Sequence, residues 1–81
     1  MKISVVTFAR IKEVMGADRV ELQVDSDATV ADLKSLLLTQ YPDLQSLMPH
    51  CNVAVDQEYS DDQTALREGC EVGIIPPVSG G

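Results

Sequence analysis

Apolar and polar residues alternate from the start of the chain. In residues 2–9, Ile3, Val5, Thr7 and Ala9 fall on one side of an extended backbone, and Ser4, Val6 and Phe8 on the other. The β-branched content favours a strand. The first set is assigned to the core and the second to a more open face. Period then changes: Ile11, Val14 and Met15 are spaced i, i+3, i+4, which predicts a short helical turn over 10–15, stopped by Gly16. Alternation returns at 19–24, where Val20, Leu22 and Val24 point in and Glu21 and Gln23 point out, as in a half-exposed strand.

After a polar turn at 25–28, Thr29 is placed as an N-cap with Asp32 three residues on, close to a capping box. The helix it opens runs to about Tyr41 and ends at Pro42. Val30, Leu33, Leu37 and Tyr41, with Leu36 alongside, form its apolar stripe. Residues 43–50 are expected to be loop, with a short turn around Leu44 to Met48. A third strand covers 51–55, with Cys51, Val53 and Val55 on one face. Asp56-Gln57 reads as a tight turn into a short strand at Glu58-Tyr59. Thr64 to Glu68 is expected to form one helical turn, with Leu66 as a buried plug and Gly69 as its exit. The last strand, 70–75, points Val72 and Ile74 in and Glu71, Gly73 and Ile75 out.

This order predicts an α+β domain: a mixed sheet of about five strands with one long helix packed across one face. An opening hairpin, a crossover helix and returning strands suggest a β-grasp arrangement, with the first and last strands side by side at the centre. Residues 1–75 are assigned to this domain and 76–81 to an extended C-terminal Gly-Gly tail. In that tail Pro76 and Pro77 restrict their own φ angles, while Gly80 and Gly81 carry no side chains. Six extended residues reach roughly 20 Å at about 3.3–3.6 Å each.

Composition narrows the function. Eighty-one residues leave little room for a deep catalytic cavity. Thirteen acidic against six basic residues give a net charge of −7, which argues against nucleic acid or an anionic membrane as partner and favours a basic protein surface. No targeting segment or membrane span is visible, so a cytoplasmic location is expected, with Cys51 and Cys70 as reduced, packed thiols. The chain has no glycine-rich phosphate loop and no Cys-x-x-Cys pair. His50 is expected to be an exposed loop histidine. Asp56, Glu58, Asp61 and Asp62 lack calcium-loop spacing and are read as a solvated rim. No metal or cofactor is expected on the chain. The group that remains is the terminal carboxylate of Gly81. It is a poor electrophile until ATP converts it to an acyl-adenylate, and without a nucleotide site here a separate enzyme must do this.

Several stretches carry a resemblance across nearly the whole chain. They are Phe8-Ala9-Arg10 followed by Ile11-Lys12-Glu13-Val14-Met15-Gly16, then Thr29-Val30-Ala31-Asp32-Leu33, then Val53-Ala54-Val55-Asp56-Gln57. The most specific is Glu71-Val72 followed by Ile74-Ile75-Pro76-Pro77-Val78-Ser79-Gly80-Gly81. The chain resembles the small subunit of molybdopterin synthase (the MoaD family), a ubiquitin-like β-grasp sulfur carrier. That resemblance implies that an E1-like, MoeB-like adenylating enzyme uses ATP to activate Gly81 and that the adenylate becomes a thiocarboxylate. The tail then enters a MoaE-like large synthase subunit and donates sulfur to cyclic pyranopterin monophosphate. The chain is non-catalytic alone and acts in a hetero-oligomer. Gly80 maps beside Gly81 in the slot. Phe8, Tyr59 and Ile75 map onto an apolar docking patch, and Pro76, Pro77, Val78 and Ser79 onto the stem that the partner holds.

Four positions depart from that pattern. Cys70 stands where Asp is frequent, Asp56 replaces a common turn Asn, Tyr59 replaces an aliphatic, and Gly73 is small for a strand centre. The alternatives are a sulfur carrier for thiamine or tRNA thiolation, a ubiquitin-like modifier joined to lysines through Gly81, and an interaction module with an inert tail.

Overall fold

The computed structural model describes residues 1–76; Pro77, Val78, Ser79, Gly80 and Gly81, with the tail expectations placed on them, lie outside the described residues. The elements are β1 (Lys2–Thr7), α1 (Ala9–Met15), β2 (Arg19–Gln23), α2 (Val30–Gln40), β3 (Asn52–Val55), β4 (Glu58–Tyr59) and β5 (Glu71–Ile75), with two 3₁₀ turns at Pro42–Ser46 and Met48–His50. The five strands form one sheet in the order β2-β1-β5-β3-β4. β1 and β5 run parallel at its centre, and the other pairings are antiparallel. This is the mixed β-grasp sheet that the order of elements predicts.

Alternation decides which residues the core receives. Ile3 and Val5 from β1, Val53 and Val55 from β3, and Val72 and Ile74 from β5 meet Val30, Leu33 and Leu37 of α2 in one cluster. Ile11 and Met15 of α1 close one end of it. Thr29 caps α2 reciprocally: its hydroxyl accepts from the Asp32 N–H, and the Asp32 carboxylate accepts from the Thr29 N–H at 2.9 Å. Gly16 ends α1 at φ 79°, its N–H donating to the Lys12 carbonyl at 2.8 Å.

The structure corrects five local expectations. β1 stops at Thr7, so Ala9 is not a core residue; it is exposed, at φ 49°, as the chain bends from strand into helix. Leu38, rather than Leu36, packs against the cluster beside Tyr41. The 43–50 segment is more than loop, since Leu44 and Met48 project from its 3₁₀ turns into the core. Cys70 is buried as expected, but Cys51 is only partly so, its thiol donating to the Leu47 carbonyl at 3.3 Å. Thr64 to Glu68 makes no helical turn. Thr64 to Leu66 runs extended beside 28–30, with Val30 N–H donating to Thr64 O and Leu66 N–H to Ala28 O, both at 3.0 Å, and a turn follows at Glu68-Gly69. Leu66 is still the buried plug: the pairing satisfies its backbone where a helical turn would not.

Candidate functional site: the bare face of the sheet

With α2 on one face, the opposite face is left bare. Register lines its side chains up in rows. One row crosses all five strands as Arg19, Val6, Gly73, Ala54 and Tyr59. The next, one pleat away, contains Glu21, Ser4 and Glu71. On the far side of the first row, Ile75 stands opposite Asn52 at the end of β5. Because β1 and β5 are parallel, their C-terminal ends coincide, so Phe8 emerges beside Ile75.

The face therefore has a polar half and an apolar half. In the polar half Arg19 meets Glu71 at 2.9 Å and Lys2 meets Glu21 at 3.3 Å. The turn Asp56-Gln57, with φ of 49° and 73°, joins this half to the β3–β4 hairpin. Asp56 holds the turn to β5 twice. Its N–H donates to the Glu71 carbonyl at 2.8 Å, and its carboxylate accepts from the Glu71 N–H at 2.9 Å. Arg67 pairs with the same carboxylate at 2.7 Å. The Glu71 N–H first, and then the Arg67 guanidinium, hold the Asp56 carboxyl below the usual carboxylate range.

In the apolar half, Phe8 is 47% exposed and Tyr59 75% exposed, the two large hydrophobic residues most open to solvent among those described. Between them lies a shallow groove of about 320 Å³. Val6, Gly73 and Ala54 form its floor, and Ile75 closes the end from which Pro76 continues the chain. Glu71 and Gln57 sit at the opposite rim.

Phe8, Tyr59 and Ile75, singled out in the sequence, are thus brought onto one groove. Pro76 adjoins it, half-buried. Ala54, Gln57 and Glu71 were missed. The signal for Ala54 was present: inward Val53 and Val55 leave Ala54 outward, and a two-residue turn puts Tyr59 opposite it. Among the described residues no group of His, Cys, Asp or Glu could hold a metal ion, and no helix is long and apolar enough to cross a membrane.

Comparison with known proteins bears on this fold and face. The ThiS family profile matches residues 5–81. The chain belongs to the ThiS family. Within this company it is 40% identical to the molybdopterin synthase sulfur carrier subunit of Chlamydomonas reinhardtii, with both chains covered completely. It is also 38% identical to small archaeal modifier protein 1 of Haloferax volcanii, over 91% of this chain and 94% of the relative. The crystal structure of that archaeal protein, SAMP1, superposes with a TM-score of 0.88 at 35% identity, covering 100% of both chains. The ubiquitin-like β-grasp fold and the likeness to molybdopterin synthase sulfur carriers read from the sequence therefore hold for this ThiS-family chain.

Proposed function

We propose that this chain is the sulfur-carrier subunit of a molybdopterin synthase. The observation that carries the reading is the end-to-end likeness to the Chlamydomonas carrier subunit, which takes in the Pro-Pro-Val-Ser-Gly-Gly ending. The apolar half of the bare face supports it, because that groove ends where Pro76 leads toward Gly81. A partner that receives the tail would rest on Phe8, Tyr59 and Ile75, with Pro76, Pro77, Val78 and Ser79 as the stem it grips.

The chemistry proceeds in three balanced steps. A separate E1-like enzyme joins the Gly81 carboxylate to the AMP part of ATP, releasing pyrophosphate. Hydrosulfide, or a persulfide donor with a thiol that reduces the acyl disulfide it forms, attacks the acyl carbon; the bond to AMP breaks, AMP leaves, and the C-terminal group becomes a thiocarboxylate. In the large synthase subunit that sulfur attacks a carbon of cyclic pyranopterin monophosphate as the carbon–oxygen bond there breaks, and water then cleaves the resulting thioester, leaving the sulfur on the pterin and releasing Gly81 as a carboxylate. Glycine at 80 and 81 keeps the reacting carbonyl uncrowded. An acidic body, at −7, repels a phosphorylated pterin, so the pterin site and the acid–base groups belong to the partner. No cofactor is assigned to this chain; ATP belongs to the activating enzyme.

Intact mass after incubation with an adenylating enzyme, ATP and a sulfur source tests the reading. One oxygen replaced by sulfur at Gly81 is the expected result, and deletion of Gly81 abolishes both the mass change and pterin sulfuration while leaving the fold in place. Unchanged product from the truncated chain would refute the mechanism. The likeness to a small archaeal modifier protein favours a second reading, conjugation through Gly81 to lysines. Higher-mass isopeptide adducts in place of the sulfur exchange would select it.

A further inference from the structure

Gly73 sits in the middle of β5, the central strand, where a glycine weakens the sheet and β-branched residues are favoured. Its backbone does not need glycine, because positive φ among the described glycines is confined to Gly16 and Gly69. Its surroundings do not need glycine either. A Cβ built there would meet the Phe8 ring at 3.9 Å, the Ala54 carbonyl oxygen at 4.0 Å and the Ile75 side chain at 4.0 Å, all ordinary contacts. Folding therefore has room for a β-carbon at a position where a side chain would help. What its absence creates is depth. Gly73 lies at the centre of the cross-strand row, next to Ala54, and these two smallest side chains are flanked by the rings of Phe8 and Tyr59.

We propose that Gly73 is a specificity-determining residue: it opens a socket between Phe8 and Tyr59 for one large apolar side chain of the partner protein that receives the tail. The proposal rests on the sulfur-carrier reading and adds to it the shape of what the partner must present. At about 320 Å³ the groove is at the bottom of the range of small-molecule sites, about 300–1,000 Å³, which suits a protruding side chain better than a cofactor. Its end wall, Ile75, is one residue from Pro76, so a protein holding the stem at Pro76 abuts it. The net charge of −7 calls for basic residues around that apolar knob. Filling the socket should exclude the knob while leaving Phe8, Tyr59 and Ile75 in place.

The test compares wild type with Gly73→Ala and Gly73→Val. Both substitutions suit a strand, so thermal unfolding is expected at or above the wild-type temperature. In titrations with the large synthase subunit, Gly73→Ala is expected to weaken binding a few-fold and Gly73→Val by roughly tenfold or more. Thiocarboxylate loading by the activating enzyme, read by intact mass, reports separately on the tail. Wild type that binds the large subunit together with a Gly73→Val chain of equal affinity overturns the socket alone. Wild type that neither loads sulfur nor binds overturns the sulfur-carrier reading and the socket with it. Sedimentation supplies a further overturning outcome: a wild-type dimer that Gly73→Val converts to monomer means that a second copy of this chain fills the groove.

Discussion

The helix-covered face and the bare face of the sheet are built from alternate residues of the same strands, yet they are selected by different demands. Inward positions of β1, β3 and β5 hold the aliphatics Ile3, Val5, Val53, Val55, Val72 and Ile74, sealed under α2, with Thr7 the one buried polar residue among them. Outward positions one residue away hold Val6, Ala54, Gly73 and Ile75, which vary in size and leave a groove. Close packing explains the first set, because a core loses stability with every methylene removed. It does not explain the second, where a glycine stands in a central strand and Phe8 occupies the N-cap of α1 without a side-chain hydrogen bond. Ser, Thr, Asp and Asn are the residues that serve an N-cap. Positions that break a local rule without a folding benefit are where function is expected to reside.

Substitutions can break or sharpen this contrast. The largest effect is expected inside. Ile74→Ala should cost about 2–5 kcal/mol in denaturant unfolding, and a cost below this range would show that the face under α2 is loosely packed. Outside, the effect should move from stability to binding. Phe8→Asp supplies the capping acceptor that α1 lacks, so unfolding should shift by no more than about 1 kcal/mol, while partner affinity measured by titration falls by about 2 kcal/mol or more. Equal losses in both measurements would erase the distinction between the faces. Thr29→Ala acts on the scaffold alone: loss of the capping box should cost about 1 kcal/mol of stability and leave the partner affinity of the remaining folded protein unchanged.

The smallest effect belongs to the polar half of the bare face. Because the Asp56 carboxyl is held low by the Glu71 N–H and then by Arg67, its stabilisation is present above the ordinary carboxylate pKa and is lost as pH falls through the lower folded-state value. Asp56→Asn should therefore lower stability slightly near neutral pH, flatten the acid limb of a stability–pH curve, and converge with wild type at the lowest pH. An acid limb identical to wild type would assign that limb to other carboxylates.

Much of this was legible in the residues. Period-2 alternation gave the inward faces of β1, β2 and β5, and Thr29 with Asp32 gave the start of α2. Ordering the elements was enough to pair the first strand with the last. What escaped notice depended on partners distant in sequence. Thr64 to Leu66 is extended because residues 28–30 supply hydrogen bonds that no local pattern announces. Leu44 and Met48 lie in a segment with Pro42 and Pro49, whose turn signals obscured two core residues. Ala9 was carried along by the rhythm of the preceding strand, although the chain bends at Phe8. The alternation put Phe8 and Ile75 on the open face, but Tyr59 was assigned to the patch only through the family resemblance. The groove required register, which sets Ala54 and Gly73 between the rings.

The parallel pairing of β1 with β5 has a consequence for synthesis. A nascent chain can make the β1–β2 hairpin early, but the place between β1 and β3 stays empty until residues 71–75 emerge. Until then two strand edges lack their neighbour, and the apolar cluster lacks Val72 and Ile74. The body closes only when its last strand slots into the middle, so a product terminated before residue 71 is left open and exposed to proteolysis instead of competing with the finished protein for partners.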